Sequence, residues 1–209
     1  VTSIPTADLI IQNNQTISSS SVVAGASITA SCNIANQGGY SASSSNVGYY
    51  LSTDSIWNSS DTYLNYSSGS ALNSGTSSSK SATLVIPSST TSGNYYILFF
   101  ADYSNQVSES IETNNVNFLS ITVNPAYIDL VITTPALSVS AVTAGSSVSA
   151  TCYIYNFGNS TTGTSNVGYY LSNDTAWDAS DVYLNYSPGY TLVAGSSGYR
   201  TSTLTIPSS

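Results

Sequence analysis

Apolar and polar residues alternate along many short segments of the chain, which indicates strands. Between Ile28 and Ile34 every second residue is apolar, and the same alternation returns between Val148 and Ile154. A period of two is typical of a strand that has one face against a core. Clusters rich in Asn and Gly, such as residues 36–39, separate these segments and predict turns. No segment has a convincing helical period, so the pattern predicts an all-β fold.

Two segments depart from simple alternation. Both faces of residues 95–100 are apolar, so we expect a central strand that is covered on both sides. Within residues 116–123 the apolar phase shifts between Phe118 and Leu119. A shift of this kind predicts a β-bulge, which inserts one extra residue into a strand.

A long segment of the chain is repeated almost unchanged 120 positions later. Residues 48–66 read GYYLSTDSIWNSSDTYLNY, and residues 168–186 read GYYLSNDTAWDASDVYLNY. This period is that of a domain, because solenoid units run to about 20–50 residues. Short strands in a unit of about 100 residues are typical of an immunoglobulin-like β-sandwich. We therefore predict two tandem sandwiches, residues 6–124 and 125–209, after residues 1–5, which end a preceding repeat or form a linker.

The second sandwich is predicted to lack its last strands. Its sequence stops at the position equivalent to residue 89, before the counterparts of residues 93–123. A sandwich without those strands has an open edge and exposed apolar faces. Either the sequence is a window on a longer array, or a neighbouring chain donates the strands. The interrupted repeat phase at both ends favours the window.

Charged side chains are few and mostly acidic. They make up 6% of the chain, and the formal net charge is −8 with Lys80 and Arg200 as the two basic residues. Nucleic acids and anionic membranes attract clusters of Lys and Arg, so neither is expected as a partner. No run of about 18 apolar residues is present, and direct membrane insertion is therefore not expected.

The sequence offers little for catalysis, and we predict that the chain is not an enzyme. It contains no His, which excludes Ser-His-Asp and Cys-His pairs and histidine-ligated zinc. Paired acids can cleave glycosides, but duplicating them in a repeated Ser-rich loop is unusual for an active site. Cys32 and Cys152 occupy equivalent inward positions of separate repeats, so we interpret both as small core residues.

The repeated acidic loop contains the candidate metal ligands. Calcium prefers carboxylate, amide and carbonyl oxygens, and calcium is the one cofactor that the sequence suggests. The alternative is that each Asp closes a tight turn through its own backbone. The candidate ligands are Asp54, Asp61, Asp174 and Asp181.

Two further features of the same loop suggest contacts with sugars. Trp57 and Trp177 either close the end of a sandwich or offer a ring to a glycan or a neighbouring domain. Ser55 and Thr175 stand in Asp-Ser/Thr-apolar triplets, which are similar to a bacterial O-glycosylation acceptor. We therefore treat these two residues as candidate glycosylation sites.

A second polar cluster lies between the predicted last two strands of the first repeat. We interpret its side chains as fixing a turn, and a role in metal binding or between domains is the alternative. The cluster consists of Glu109, Glu112, Asn114 and Asn115.

Taken together, four motifs resemble the CARDB family, which is named for a cell-adhesion-related domain of bacterial and archaeal surface proteins. They are Asp-Leu-Ile from residue 8, Gly-Tyr-Tyr-Leu-Ser-x-Asp from residue 48, Ile-Pro-Ser-Ser from residue 86 and Glu-x-x-Glu-x-Asn-Asn from residue 109. The resemblance covers the first repeat and the truncated second repeat. It implies an extracellular immunoglobulin-like module of adhesins, fibres and secreted proteins, and it brings no defined site residues.

The sequence thus predicts a structural or adhesion module of a prokaryotic cell surface, part of a longer stalk or fibre. Its expected partners are neighbouring repeats or copies of itself, held through β-strand contacts, together with cell-surface glycans. Two other functions stay open, a carbohydrate- or surface-binding module and a spacer of a large secreted enzyme.

Overall fold

A computed structural model describes residues 6–208, which lie in two compact units, Val1–Pro125 and Ala126–Ser209. Within the described residues both units consist of strands, turns and loops, without a helix. The predicted all-β fold is therefore confirmed. The tail or linker predicted at residues 1–5 lies outside the described residues. Over the described part of the chain, no helix has the length and apolar character that crossing a membrane requires.

Unit 1 is a sandwich of two sheets. In the first sheet β4 lies in the middle, with β7 on one side and β1 and β2 on the other. The second sheet has the order β3-β9-β8-β5-β6, in which β3 runs parallel to β9. The chain therefore crosses between the sheets after β2, as in immunoglobulin-like folds. The strands are β1 (Leu9–Ile11), β2 (Thr16–Ile17), β3 (Ser21–Val23), β4 (Ser27–Asn36), β5 (Val47–Ser52), β6 (Thr62–Ser67), β7 (Ser77–Val85), β8 (Gly93–Ala101) and β9 (Val116–Asn124).

Alternate residues of the facing strands form the core of unit 1, as the sequence pattern predicted. The rings of Tyr49 and Phe99 meet edge to face, with their centroids 5.5 Å apart. The Tyr49 hydroxyl and the Ser67 hydroxyl share a hydrogen bond of 2.9 Å, so the buried phenol is satisfied. Cys32 and Cys152 are free and buried, which confirms their interpretation as core residues.

The β-bulge lies in a different strand from the one predicted. The pairing of β8 with β9 runs without a register shift, so the predicted bulge between Phe118 and Leu119 is wrong. Phe118 instead lies outside the core, and its ring contacts Tyr96 at 5.5 Å. The register shifts between β5 and β6, opposite Leu64, which packs against the core.

Unit 2 repeats part of this framework, and its described residues end before the positions equivalent to β8 and β9. The strands β10, β11 and β14 form one sheet, and β12 and β13 form a hairpin with the same register shift as β5 and β6. Leu51 of β5, which pairs with Ile97 of β8, is 5% exposed, whereas its equivalent Leu171 is 41% exposed. The strands are β10 (Leu130–Leu137), β11 (Ser147–Asn156), β12 (Val167–Leu171), β13 (Val182–Ser187) and β14 (Ser197–Thr205).

Candidate functional site

The acidic loop of unit 1 connects β5 to β6 and is closed by its own side chains. Asp54 Oδ1 accepts a hydrogen bond of 2.8 Å from the backbone N–H of Ile56. Asp61 Oδ2 accepts one of 2.8 Å from the backbone N–H of Asn58. Short Asp and Asn side chains commonly bond to nearby backbone in this way. Ser55 is half-buried inside the turn that Asp54 closes.

The loop of unit 2 has the same bonds. Asp174 Oδ1 accepts from the backbone N–H of Ala176 at 2.8 Å, and Asp181 Oδ2 accepts from that of Asp178 at 3.0 Å. Hydrogen bonds from the side chain and the backbone of Ser180 lower the pKa of Asp178, since they favour its ionised form. Thr175 is exposed in this loop.

This geometry gives the four candidate calcium ligands a turn-forming role. Among residues 6–208 no three His, Cys, Asp or Glu side chains come together in an arrangement that could hold a metal ion. Calcium takes six to eight oxygen ligands, and the turn bonds already engage one oxygen of each carboxylate. The donor set of the acidic loops therefore fits calcium poorly.

The second polar cluster links the β8–β9 loop to the first strand of the chain. Glu109 Oε2 accepts hydrogen bonds from the backbone N–H of Leu9 at 2.7 Å and from Asn115 Nδ2 at 3.1 Å. Glu112 Oε1 accepts one of 2.9 Å from the backbone N–H of Glu109. Asn114 Nδ2 donates to Asp8 Oδ1 at 2.9 Å. These bonds fix the loop, which is the role that the sequence suggested.

Six aromatic rings cover the outer side of β5 and β8, and we call this group the outer aromatic face. Tyr103 contacts three of its members, with ring centroids between 5.9 and 6.4 Å away. Gly48 lies under that ring, where a Cβ atom would come within 2.6 Å of it, so only Gly fits. The bulge opposite Leu64 brings Tyr63 and Tyr66 to the same side of β6. The members are Tyr50, Trp57, Tyr63, Tyr66, Phe100 and Tyr103.

A cavity of about 380 Å³ opens between the acidic loop and the β8–β9 loop, and we call it the Trp57 pocket. The rings of Trp57 and Phe100 meet edge to face in its wall, with centroids 5.1 Å apart. Trp57 is 39% exposed, so it lies in a wall and neither fills the sandwich nor stands free. The pocket is lined by Ser55, Ile56, Trp57, Phe100, Glu112, Thr113, Asn115 and Val116.

The equivalent region of unit 2 keeps only part of this arrangement. Trp177 contacts Tyr170 at 6.1 Å, as Trp57 contacts Tyr50. Trp177 is nevertheless 72% exposed, because the described residues of unit 2 contain no strand that supplies a ring equivalent to Phe100. The structure thus brings Trp57 and Ser55 into a pocket and leaves Trp177 and Thr175 on an open loop.

Sequence reasoning did not place Phe100, Glu112 and Asn115 beside Trp57. Residues so far apart in the chain meet only through the pairing of β5 with β8. One signal was available, because the Glu-x-x-Glu-x-Asn-Asn motif from residue 109 contains both Glu112 and Asn115.

Comparison with known proteins gives one family. A family model described as CARDB matches residues 6–118, which confirms the resemblance seen in the motifs of the first repeat. No curated protein matches the chain.

Two solved structures illustrate the similarity. A CARDB domain from Pyrococcus furiosus in complex with di-metal ions is 21% identical, with a TM-score of 0.43, and the match covers 57% of this chain and 90% of that one. A domain of a cell surface protein from Methanosarcina acetivorans is 20% identical, with a TM-score of 0.41, and the match covers 57% and 93% of the two chains.

Proposed function

Because the chain belongs to the CARDB family, we propose that it is a non-catalytic, extracellular adhesion module of a longer tandem-repeat stalk or fibre. CARDB is a non-enzymatic family of adhesion-related cell-surface domains. Its partners in such an assembly are neighbouring repeats or copies of itself, which meet through β-strand contacts. The low density of charge lets such surfaces approach without strong repulsion.

One observation supports the stalk proposal, namely that the internal framework of unit 1 recurs in unit 2. The bond between Tyr49 and Ser67 measures 2.9 Å, and its counterpart between Tyr169 and Ser187 measures 3.0 Å. Gly25 and Gly145 share a φ of +84° at equivalent turns. A spacer needs the same framework in every repeat, whereas a binding function needs only one good site.

The stalk proposal is tested on the natively produced protein. We expect a denatured mass several times that of 209 residues, because many repeats are needed for length. We also expect protease treatment of intact cells to release peptides from both units. A mass near that of 209 residues, or peptides protected until the cells are broken, would contradict the proposal.

A carbohydrate- or surface-binding module is the second candidate, and the Trp57 pocket favours it. Partly exposed Trp rings bind the apolar faces of sugars while polar groups beside them bind the hydroxyls. A spacer of a large secreted enzyme is a variant of the stalk proposal. It is distinguished by a catalytic domain in the same polypeptide, which sequencing of the native protein detects.

Calcium binding at the acidic loops stays a prediction of the sequence. We expect Asp61→Ala to lower the free energy of unfolding by about 1 kcal/mol, because the N–H of Asn58 loses its acceptor. Asp61→Asn keeps an acceptor oxygen, so we expect a smaller loss. If calcium binds here, it raises the Tm of the wild type and not that of Asp61→Asn. Equal Tm values with calcium and with a chelator would exclude a role in stability.

A further inference from the structure

We propose that the Trp57 pocket of unit 1 binds one uncharged pyranose ring. The proposal rests on the second candidate function, a carbohydrate-binding module, and it names the site and the chemical class of the ligand. The pocket volume of about 380 Å³ lies in the range of about 300–1,000 Å³ that is usual for small-molecule sites.

An aromatic wall provides the surface for an apolar ligand face. Phe100 and Tyr50 both meet the Trp57 indole edge to face, at 5.1 and 6.1 Å. These contacts hold the indole in place, and 39% of the residue is still exposed. The C–H face of a pyranose stacks on an indole in such a position.

The polar side of the pocket presents acceptors. Asn115 is 3% exposed, and its Nδ2 donates to Glu109 Oε2 at 3.1 Å and to the Ala101 carbonyl at 3.5 Å. These two bonds orient the amide, and its Oδ1 has no hydrogen-bond partner within the described residues. A buried acceptor without a partner is rare in native proteins. Oδ1 is itself buried, so a ligand hydroxyl that donates to it supplies the missing bond when the side chains at the pocket wall move aside.

Glu112 adds a second acceptor and sets the charge of the site. The N–H of Glu109 donates to its Oε1 at 2.9 Å and holds the side chain beside the pocket. None of the eight lining residues is basic, so a sulfated or carboxylated sugar meets repulsion without compensation. An uncharged pyranose has an apolar face, several hydroxyl donors and no negative charge, so it matches these groups of the pocket.

Unit 2 provides the matched control. Trp177 makes the same contact with a Tyr ring but is 72% exposed, and the described residues of unit 2 supply no counterpart of Phe100 or Asn115. In a protein of these 209 residues, the proposal therefore assigns binding to Trp57 and not to Trp177.

The sugar has two possible sources, which share one chemistry. It is either part of a separate glycan, or the first residue of a glycan carried by Ser55, which itself lines the pocket. The first source predicts binding of added sugars to unmodified protein. The second predicts sugar attached to Ser55 of the natively produced protein, in contact with the Trp57 ring.

The test titrates unmodified recombinant protein with the methyl glycosides of glucose, galactose, mannose and N-acetylglucosamine. We expect at least one of them to shift the NMR signal of the Trp57 indole N–H. Trp57→Ala is expected to weaken that binding about tenfold or more, and Trp57→Phe less, because Phe keeps an aromatic face. Trp177→Ala is expected to change it less than about twofold. Unchanged thermal unfolding of the variants shows that they are folded.

The outcomes separate the pocket from the wider function. Binding that Trp177→Ala abolishes and Trp57→Ala spares overturns the pocket and keeps the carbohydrate-binding function. If no glycoside binds, mass spectrometry of peptides from the natively produced protein shows whether Ser55 carries a sugar. Hexose on Ser55, with proton contacts between that sugar and the Trp57 ring, supports the pocket through its second source. A bare Ser55 together with no binding overturns both the pocket and the carbohydrate-binding function, and leaves the stalk proposal standing.

Discussion

Replacing Asn36 with Ala is expected to lower the free energy of unfolding of unit 1 by about 4 kcal/mol. Asn36 is 1% exposed at the end of β4. Its Oδ1 accepts from the backbone N–H groups of Asp8 and Gly38, at 3.1 and 3.0 Å. Its Nδ2 donates to the carbonyls of Tyr40 and Leu72, at 2.7 and 3.0 Å. Ala leaves four backbone groups without these partners, and each such group that stays buried costs about 1–3 kcal/mol.

Urea unfolding followed by Tyr and Trp fluorescence measures this loss, and two variants test its cause. Asn36→Asp keeps the acceptor but turns its second carboxylate oxygen toward two carbonyl groups, so we expect a loss at pH 7 at least as large as that of Ala. Asn156 makes the same four bonds in unit 2, at 2.8 to 3.4 Å. Asn156→Ala is therefore expected to destabilise unit 2 and spare unit 1. A loss below about 1 kcal/mol in Asn36→Ala would mean that water replaces the amide.

The sequence pattern predicted the sheet that contains β4 better than the sheet that contains β5 and β8. In β4 one face meets the core and the other meets solvent, so apolar and polar residues alternate and the strand is easy to recognise. In the sheet of β5 and β8, aromatic residues lie on both faces. Leu98 of β8 is 0% exposed although it points away from the core side occupied by Phe99. With apolar residues on both faces the period of two disappears, and Phe118 was therefore misread as a phase shift.

The actual bulge was hidden for a similar reason. Tyr63, Leu64 and Tyr66 are all compatible with a regular strand, and nothing in their order marks Leu64 as the extra residue. Only pairing with β5 reveals the shift, and pairing between strands is not encoded in local periodicity.

The candidate site was partly accessible from sequence. The Asp turns could be predicted from sequence, because their bonds join residues two or three positions apart, as between Asp54 and Ile56. The pocket could not be predicted, because Trp57 and Asn115 come to line one pocket only after β5, β8 and β9 have paired. The sequence suggested that each Trp either closes the end of a sandwich or stands free in solvent. Trp57 does neither, because it lies in the wall of a pocket.

The carboxyl group of Glu109 is the buried acid that should make the stability of unit 1 depend on pH. It is 9% exposed, and loss of hydration raises its pKa to about 7, with the charges of Glu112 and Asp102 adding to the rise. The hydrogen bonds from Leu9 and Asn115 oppose the rise. The folded state therefore holds this proton more tightly than the unfolded state, in which the pKa is near 4.5.

Glu109→Gln is accordingly expected to gain stability relative to the wild type as the pH rises. The stabilising contribution of the protonated carboxyl is complete below pH 4.5 and is lost as the pH rises through 7. At about 1.4 kcal/mol per pKa unit, the difference in unfolding free energy between Gln variant and wild type should change by about 3 kcal/mol between pH 4.5 and pH 8. Gln stays neutral throughout and can still accept from the N–H of Leu9.

Urea unfolding of both proteins at intervals of half a pH unit measures that difference, and the subtraction removes the other acids from the comparison. Glu112→Gln is the matched control, because it removes a negative charge from the same loop and leaves the Glu109 carboxyl to titrate. The pH dependence should therefore persist in that variant. Parallel curves for the wild type and Glu109→Gln would mean that Glu109 ionises alike in both states, and that its contact with Leu9 holds β1 without any dependence on pH.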